Sequence, residues 1–287
     1  MADFSMDEFY RGESMNAYRY FGAHPASEDD AGIVFRVYAP RAWQIEVVGD
    51  FNGWNGWGHR MNKINGTVYE LYVPEARVGQ LYKFRVYQQG GNVVDKADPY
   101  AFHSQLRPDT ASVITRIETD TIFDDAEWME NRSKCYDKPM SIYEMHMGSW
   151  KRPYGKSVAD GAAQWFKYDE IAEDLVKYVK ENNFTHIEVM PLAEYPFDGS
   201  WGYQVSQYYS ATSRYGTPQQ LMKFVDTCHK TALALSLTLP SCILSGIAIR
   251  WVILMVRRCM SIRRQTFPRV SGVPTTSTCP KAMYRAI

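Results

Sequence analysis

A short segment at residues 198–204 combines aromatic rings with polar side chains in a way that suits carbohydrate binding. Trp201 and Tyr203 offer flat apolar faces, while Asp198 and Gln204 in the same segment offer hydrogen-bonding groups. A pyranose ring with equatorial hydroxyls needs both, because its faces are apolar and its rim is polar. Ordinary aromatic packing within a loop is the alternative interpretation.

The residues on the N-terminal side of this segment indicate how it is positioned. Residues 185–190 form a short apolar run that ends at Pro191, as expected of a strand covered on both faces of a parallel sheet. Pro196, Gly199 and Gly202 then favour a loop. The aromatic and polar groups are therefore expected on a loop directly after a buried strand.

Residues 140–230 alternate between strand and helix patterns. Residues 141–147 predict a first strand, residues 168–182 a helix with one apolar face, and residues 218–230 a second amphipathic helix. With the strand at 185–190, the order is strand, helix, strand, helix. This order indicates the first part of an incomplete (β/α)8 TIM barrel.

Residues 21–115 show a period of two instead. Four short runs with alternating apolar side chains, at 33–37, 45–47, 69–73 and 82–86, are separated by Gly, Asn and Pro. This pattern predicts an all-β sandwich. We therefore expect a multi-domain chain, with a lead-in at 1–20, the sandwich at 21–115, a connector at 116–139 and the start of the barrel at 140–230.

Composition limits the partners that the chain could have. Its 287 residues include 32 basic and 32 acidic side chains, so the net charge of zero gives no reason to expect nucleic acid or an anionic membrane as a partner. The five cysteines and the histidines lack metal-ligand spacing, so we expect no metal site. No secretory signal pattern opens the chain, which predicts a cytoplasmic protein.

Several motifs, taken in order, resemble the glycogen (1,4-alpha-glucan) branching enzymes, which are family 13 glycoside hydrolases with an N-terminal family 48 carbohydrate-binding module. The motifs are FGAH at 21–24, GDFNGW at 49–54, DPY at 98–100, IYEMHMGSW at 142–150 and PFDGSWGYQ at 196–204. Related α-glucan hydrolases and trehalose-forming enzymes share several of them. Their order and the PFDGSWGYQ string favour branching enzymes over roughly residues 15–230.

The resemblance implies that the sandwich is an immunoglobulin-like carbohydrate-binding module. Trp54 and Lys83 match the positions that hold glucan in some modules of this type, where the ring stacks on a sugar face and the amine donates to hydroxyls. Packing within the module is the alternative role for Trp54.

The resemblance also assigns roles in the aromatic segment. Tyr203 matches the tyrosine that stacks under the sugar at the reacting subsite in this family. Trp201, Gln204 and Asp198 are expected to be neighbouring substrate-binding residues, with a purely scaffolding role in the loop as the alternative for each. The implied partner is an α-1,4-glucan or glycogen, and the implied reaction needs no cofactor.

The implied reaction is retaining transglycosylation, which cuts an α-1,4 link and makes an α-1,6 branch. Retaining chemistry uses two carboxylates about 5 Å apart. In this family those groups come from the fourth, fifth and seventh barrel strands, so we assign no catalytic residue to this chain and treat Glu144, Glu188 and Glu194 as structural. A non-catalytic α-glucan-binding fragment is therefore the alternative function.

The composition changes after Lys230, where the resemblance stops. Residues 231–287 contain no acidic side chain, although the chain has 32. In a reading frame shifted by one base, residues 231–244 can encode GIGVILDFAVVHF, which resembles the third barrel strand of the family. We interpret residues 231–287 as an out-of-frame tail, with a membrane segment at 231–249 as the alternative. We also expect a partial barrel with open edges to aggregate.

Overall fold

The computed structural model describes residues 4–14, 16–117, 122–131 and 139–238. Its helices and strands, in chain order, are α1 (Met6–Tyr10), α2 (Ala17–Tyr20), β1 (Gly22–Pro25), β2 (Ala31–Tyr38), β3 (Ala42–Gly49), β4 (Asn62–Ile64), β5 (Val68–Arg77), β6 (Leu81–Gln88), β7 (Val93–Lys96), β8 (His103–Ser104), β9 (Ser112–Val113), α3 (Ala126–Asn131), β10 (Ile142–Met145), α4 (Met147–Trp150), α5 (Tyr168–Glu181), β11 (His186–Val189), β12 (Ala193–Glu194), β13 (Gln207–Ala211), α6 (Pro218–Lys230) and β14 (Ala234–Leu237). Short 3₁₀ segments cover Asp50–Asn52, Val158–Gln164, Asp198–Ser200 and Ser213–Tyr215.

The first region is the predicted β-sandwich. One sheet has the order β1-β2-β5-β4, and the second includes β9-β6-β3 with β7 also paired to β6. Alternate residues of β2, β3, β5 and β6 are buried in one cluster between the sheets: Ile33, Phe35, Val37, Ile45, Val47, Tyr69, Val73, Tyr82, Phe84 and Val86. The period of two in the sequence is therefore confirmed as the alternation of core and surface side chains.

The second region begins a barrel, as predicted. The strands β10, β11 and β14 pair in parallel, with Tyr143 opposite Ile187 and Ile187 opposite Leu235. The buried faces of these strands share one hydrophobic cluster with the apolar faces of α5 and α6. Parallel strands joined through helices that cover one face are the repeating unit of a (β/α)8 barrel.

Capping interactions explain where the two long helices begin. At the start of α6, the Thr217 hydroxyl accepts a hydrogen bond from the Gln220 amide at 3.3 Å, and the Gln220 side chain accepts one from the Thr217 amide at 3.0 Å. Pro218 occupies the first helical position, where its missing N–H costs nothing. At the start of α5, Glu170 accepts a hydrogen bond from the Lys167 amide at 2.7 Å.

The strand β14 lies beyond the boundary that the sequence predicts at Lys230. It pairs in parallel with β11, and the Thr238 amide donates to the Val189 carbonyl at 2.9 Å. A short apolar run can join an open strand edge because the ladder is made by backbone groups. The out-of-frame origin of residues 231–287 stays a prediction, and residues 239–287 lie outside the described residues.

The connector contains more structure than its polar sequence predicts. The helix α3 brings the Trp128 ring to 3.8 Å from the His229 ring of α6, with only 2° between their planes. The carboxylate of Asp125 lies 2.8 Å from Nδ1 of the same histidine. The connector therefore packs on the barrel helix instead of running as an irregular segment, at least over residues 122–131.

One sheet crosses from the sandwich into the barrel region. The hairpin β12–β13, which follows β11, joins the sandwich strands through a parallel pairing of β13 with β8, giving the order β12-β13-β8-β9-β6-β3. At this junction the Ser104 hydroxyl lies 2.8 Å from the Gln207 side-chain oxygen and 2.5 Å from the Ser210 hydroxyl. We call this seven-stranded structure the shared sheet.

Candidate functional site

The loop that carries Trp201 and Tyr203 lies at the carboxyl end of the parallel sheet. It follows β11 and returns to the strand end at Gly202, which has a φ of +90°. A Cβ at this position would lie 2.5 Å from the carbonyl oxygen of Pro191, so glycine is needed for both its conformation and its close approach. We call residues 197–203 the aromatic loop.

The aromatic side chains of this loop face solvent. Phe197 is 60% exposed, Trp201 is 58% exposed and Tyr203 is 41% exposed. Trp201 also has a φ of +54°, a left-handed conformation that costs of order 1 kcal/mol for a side chain of this kind. Exposed rings held on a strained backbone are typical of a binding surface and disfavour ordinary packing as their role.

His146 lies beside the aromatic loop. It follows β10 at the same end of the sheet, and its ring centroid is 6.4 Å from that of Trp201. Burial, together with the positive charges of Arg152 and Arg214, lowers the pKa of His146. A neutral imidazole can both donate and accept hydrogen bonds, as sugar hydroxyls require. The sequence analysis missed this residue, although its position directly after the first barrel strand was a signal.

Asp198 has a supporting position within the loop. Its Oδ1 accepts hydrogen bonds from Arg214 Nε at 2.8 Å and Nη2 at 2.7 Å. The same oxygen accepts one from Arg107 Nε at 2.7 Å, and Arg107 Nη2 donates to Oδ2. With its carboxylate held by two guanidinium groups, Asp198 fits the scaffolding alternative better than sugar binding.

Arg214 is the buried centre of this network and was missed by the sequence analysis. Its side chain is 1% exposed, and its Nη1 lies 2.6 Å from Oε1 of Glu194. The guanidinium carbon also lies 3.8 Å from the centroid of the Tyr195 ring. Burial raises the pKa of Glu194, although the Ser213 amide and Arg214 both act to lower it. This cluster fixes the base of the aromatic loop.

Gln204 and the two remaining glutamates, Glu144 and Glu188, lie outside the Arg214 network. Gln204 is exposed directly after the aromatic loop, where it is accessible to a ligand. Glu144 and Glu188 lie opposite each other on β10 and β11, and the Thr238 hydroxyl donates to Glu188 at 3.1 Å.

The candidate residues of the sandwich lie on adjoining elements. Trp54 is half-buried, and its indole N–H donates to Asp50 at 3.0 Å. The second oxygen of Asp50 accepts from the Leu81 amide at 2.8 Å, which ties the Trp54 turn to β6. Lys83 lies two residues further along β6 and donates to Thr110 at 2.9 Å. The structure therefore places the turn that carries Trp54 beside β6, the strand that carries Lys83.

The local conformation around Trp54 differs from the two-residue hairpin turn that an Asn-Gly pair such as Asn52-Gly53 favours. Residues Asp50–Asn52 form a 3₁₀ turn, and both Gly53 and Trp54 then adopt left-handed conformations, with φ of 59° and 63°. Asn52 causes the difference, because its side chain accepts from the Gly49 amide and donates to the Val47 carbonyl, each at 2.9 Å.

Two further observations hold for the residues that the structure describes. They contain no group of three or more His, Cys, Asp or Glu side chains arranged to hold a metal ion. Within the same ranges, none of the helices has the length and apolar character needed to cross a membrane.

Comparisons with known proteins agree with both parts of this architecture. Residues 20–101 match the family model of carbohydrate-binding module 48, described as the isoamylase N-terminal domain. A solved structure from Salmonella typhimurium, assigned as an alpha amylase, superposes with a TM-score of 0.55 at 22% identity, over 76% of this chain and 32% of that chain. That likeness shows the fold, which is a β-sandwich followed by the start of a (β/α)8 barrel.

The sequence is also similar to curated proteins that are named 1,4-alpha-glucan branching enzymes. The chain is 46% identical over 233 residues to the 1,4-alpha-glucan branching enzyme GlgB of Fusobacterium nucleatum, covering 80% of this chain and 36% of that protein. It is 45% identical over 233 residues to GlgB of Geobacillus stearothermophilus, covering 80% and 35%. For GlgB of Synechococcus elongatus the identity is 38% over 256 residues, covering 83% and 33%.

The chain is therefore homologous to the 1,4-alpha-glucan branching enzymes. It spans about a third of the length of these relatives, as the shares of 33% to 36% show.

Proposed function

We propose that the chain binds α-1,4-glucan at the aromatic loop. The observation that carries this proposal is the exposure of Phe197, Trp201 and Tyr203 on a loop whose base is fixed by a buried ion-pair network. Rigid aromatic faces bind a sugar with little loss of conformational entropy, because few side-chain torsions have to be ordered. The relatives are named for their action on a 1,4-alpha-glucan, which supports the same ligand class.

The reaction that we propose for the complete protein is formation of α-1,6 branches in glycogen by retaining transglycosylation. Such a reaction needs a nucleophilic carboxylate and an acid/base carboxylate on opposite sides of the scissile bond. The described part of the barrel has the strands β10, β11 and β14, and we assign neither carboxylate to it. We therefore propose that this chain does not turn over glucan. Its cytoplasmic location stays a prediction.

A non-catalytic α-glucan-binding fragment is the second candidate function. The match of residues 20–101 to a carbohydrate-binding module favours it, and the adjoining positions of the Trp54 turn and Lys83 support a second glucan contact there. In this case the module and the aromatic loop would both hold polymer, without any bond being broken.

The test is a titration with maltoheptaose, followed by intrinsic tryptophan fluorescence of the 287-residue chain. Tyr203→Ala is expected to weaken binding about tenfold, equivalent to about 1.4 kcal/mol. Tyr72→Ala is the matched control, since Tyr72 is 53% exposed on β5 in the other sheet of the sandwich. If wild type and Tyr203→Ala bind maltoheptaose with equal affinity, the aromatic loop is not the binding site.

An amylose assay separates branching activity from glucan binding without turnover. Branching shortens the linear segments that bind iodine, so an active enzyme lowers the absorbance of the amylose–iodine complex. We expect this chain to leave the absorbance unchanged while still binding maltoheptaose. A steady fall in absorbance would show that it carries catalytic groups of its own.

A further inference from the structure

We propose that Arg107 is a positioning residue for glucan binding, through which the sandwich sets the position of the aromatic loop. Arg107 lies between β8 and β9 of the sandwich, 91 residues before Asp198 in the chain. Its guanidinium donates to both carboxylate oxygens of Asp198, the residue that begins the 3₁₀ turn of the loop. The proposal rests on the proposed function of the aromatic loop.

The geometry of the Arg107 contact favours a fixed orientation. An arginine that binds a carboxylate through two parallel N–H groups restricts the angle as well as the distance. The same guanidinium lies 5.5 Å from the centroid of the Trp165 ring, which is buried in the barrel core. Arg107 therefore reaches from the sandwich to two separate parts of the barrel region.

Asp198 needs this second arginine because Arg214 holds only one of its oxygens. Both Arg214 contacts, at 2.8 and 2.7 Å, are to Oδ1. Without Arg107, Oδ2 would lose its hydrogen bond from the Arg107 guanidinium, and the carboxylate could rotate about the Arg214 contact. Trp201 follows three residues later, and its amide donates to the Asp198 carbonyl at 3.1 Å. Movement of Asp198 would therefore be transmitted to Trp201.

The shared sheet supplies a second, independent connection between the sandwich and this loop. The aromatic loop lies between β12 and β13, and β13 pairs with β8 of the sandwich. The hydroxyl of Ser213, just after β13, also donates to the carbonyl of Ser104 in β8. The strand after the loop is thus paired directly with the sandwich, the strand before it is paired with β13, and Arg107 holds Asp198 near the start of the loop.

Hydrogen exchange tests this positioning role without any sugar. In the 287-residue chain, Arg107→Gln is expected to raise amide exchange of residues 197–204 at least fivefold, while exchange in β6 stays as in wild type. Arg107→Lys should restore part of the protection, because one charge contact can remain. Unchanged exchange in residues 197–204 of Arg107→Gln would overturn the proposal.

Arg116→Gln is the matched control for this substitution. The Arg116–Asp30 pair has side-chain exposures of 27% and 40%, close to the 24% and 44% of Arg107 and Asp198, but it lies away from the aromatic loop in sequence. We expect Arg116→Gln to leave exchange in residues 197–204 unchanged. An equal rise in both variants would mean that loss of any such ion pair loosens the loop, which would also overturn the proposal.

Maltoheptaose titration connects positioning with binding. Arg107→Gln should raise the Kd about fivefold, and in an Asp198→Asn background the same substitution should have little further effect, because the two residues act through one contact. Fully additive effects would contradict the mechanism. If the wild-type chain binds no maltoheptaose, the proposed function fails, whereas the exchange result still decides whether Arg107 holds the loop.

Discussion

Arg214 and Glu194 form an ion pair of 2.6 Å beneath the aromatic loop, and their side chains are only 1% and 7% exposed. Buried charges of this kind are stable only when every charged atom has a partner. The Arg214 guanidinium satisfies this condition through Glu194, Asp198 and Thr212, while Glu194 also accepts from the Ser213 amide at 2.8 Å. The pair is thus the part of the site that is most sensitive to substitution.

Arg214→Met should lower the free energy of unfolding by about 3 to 5 kcal/mol, because it leaves the Glu194 carboxylate buried without its cation. Urea denaturation measures this change. Arg11→Met serves as the control, since Arg11 and Glu13 are 57% and 54% exposed and such pairs contribute at most about 1 kcal/mol. A loss of similar size in the two variants would contradict the assigned role of burial.

Asp98 should make stability depend on pH. Burial raises the pKa of Asp98 to about 6, despite hydrogen bonds from the Tyr82 hydroxyl and the Tyr100 amide. The stabilising contribution of the protonated group is complete below about pH 4 and is lost as the pH rises through about 6, because the unfolded carboxyl titrates near 3.9.

Asp98→Asn removes this titration. The difference in unfolding free energy between wild type and variant is therefore expected to fall by about 2 to 3 kcal/mol between pH 4 and pH 7. Parallel urea denaturation series at several pH values measure it. A difference that stays constant, or that grows with pH, would show that burial does not raise the pKa of Asp98.

Gly202→Ala should disturb the aromatic loop, because the new Cβ would lie 2.5 Å from the Pro191 carbonyl oxygen at a φ of +90°. We expect a loss of more than about 1 kcal/mol in unfolding free energy and weaker maltoheptaose binding. Gly91→Ala isolates the contact, since its φ is +81° but nothing lies within 4 Å of the added atom. Equal losses in the two variants would mean that the positive φ, and not the contact with Pro191, causes the effect.

Among the described residues, β10 is an edge strand of the barrel sheet, and this edge should cause association. Ile142 in β10 is 49% exposed, and Met140 just before it is 61% exposed. Static light scattering should therefore rise with chain concentration, and Ile142→Lys should reduce it, since a charge on an edge strand opposes pairing. Tyr154→Lys is the control, because Tyr154 is fully exposed in a turn that belongs to no strand. An equal reduction by both would point to net charge as the cause.

The sandwich and the two barrel helices could be predicted from the sequence because their signals are local. Burial in β2 and β6 follows a period of two, and the buried Ile171, Leu175 and Val179 of α5 recur at helical spacing. Each pattern reports which face of one element meets the core. Such patterns do not report which element packs on that face.

The support of the site could not be predicted, because its contacts join distant parts of the chain. Arg107 and Asp198 are 91 residues apart, and Ser104 and Ser213 are 109 apart. A buried arginine such as Arg214 also gives no sequence signal of its own, since arginine is usually exposed. The exposed rings of Trp201 and Tyr203 were found because aromatic residues clustered in a Gly-rich loop stand out.

The shared sheet has a consequence for how proteins of this architecture can change during evolution. A domain joined only through a flexible connector can be exchanged between genes by recombination at that connector. Here an exchange between residues 116 and 139 would separate β8 from β13, its neighbour in the sheet. A foreign module would have to match a barrel hairpin strand for strand, so the two parts are expected to be inherited together as one unit.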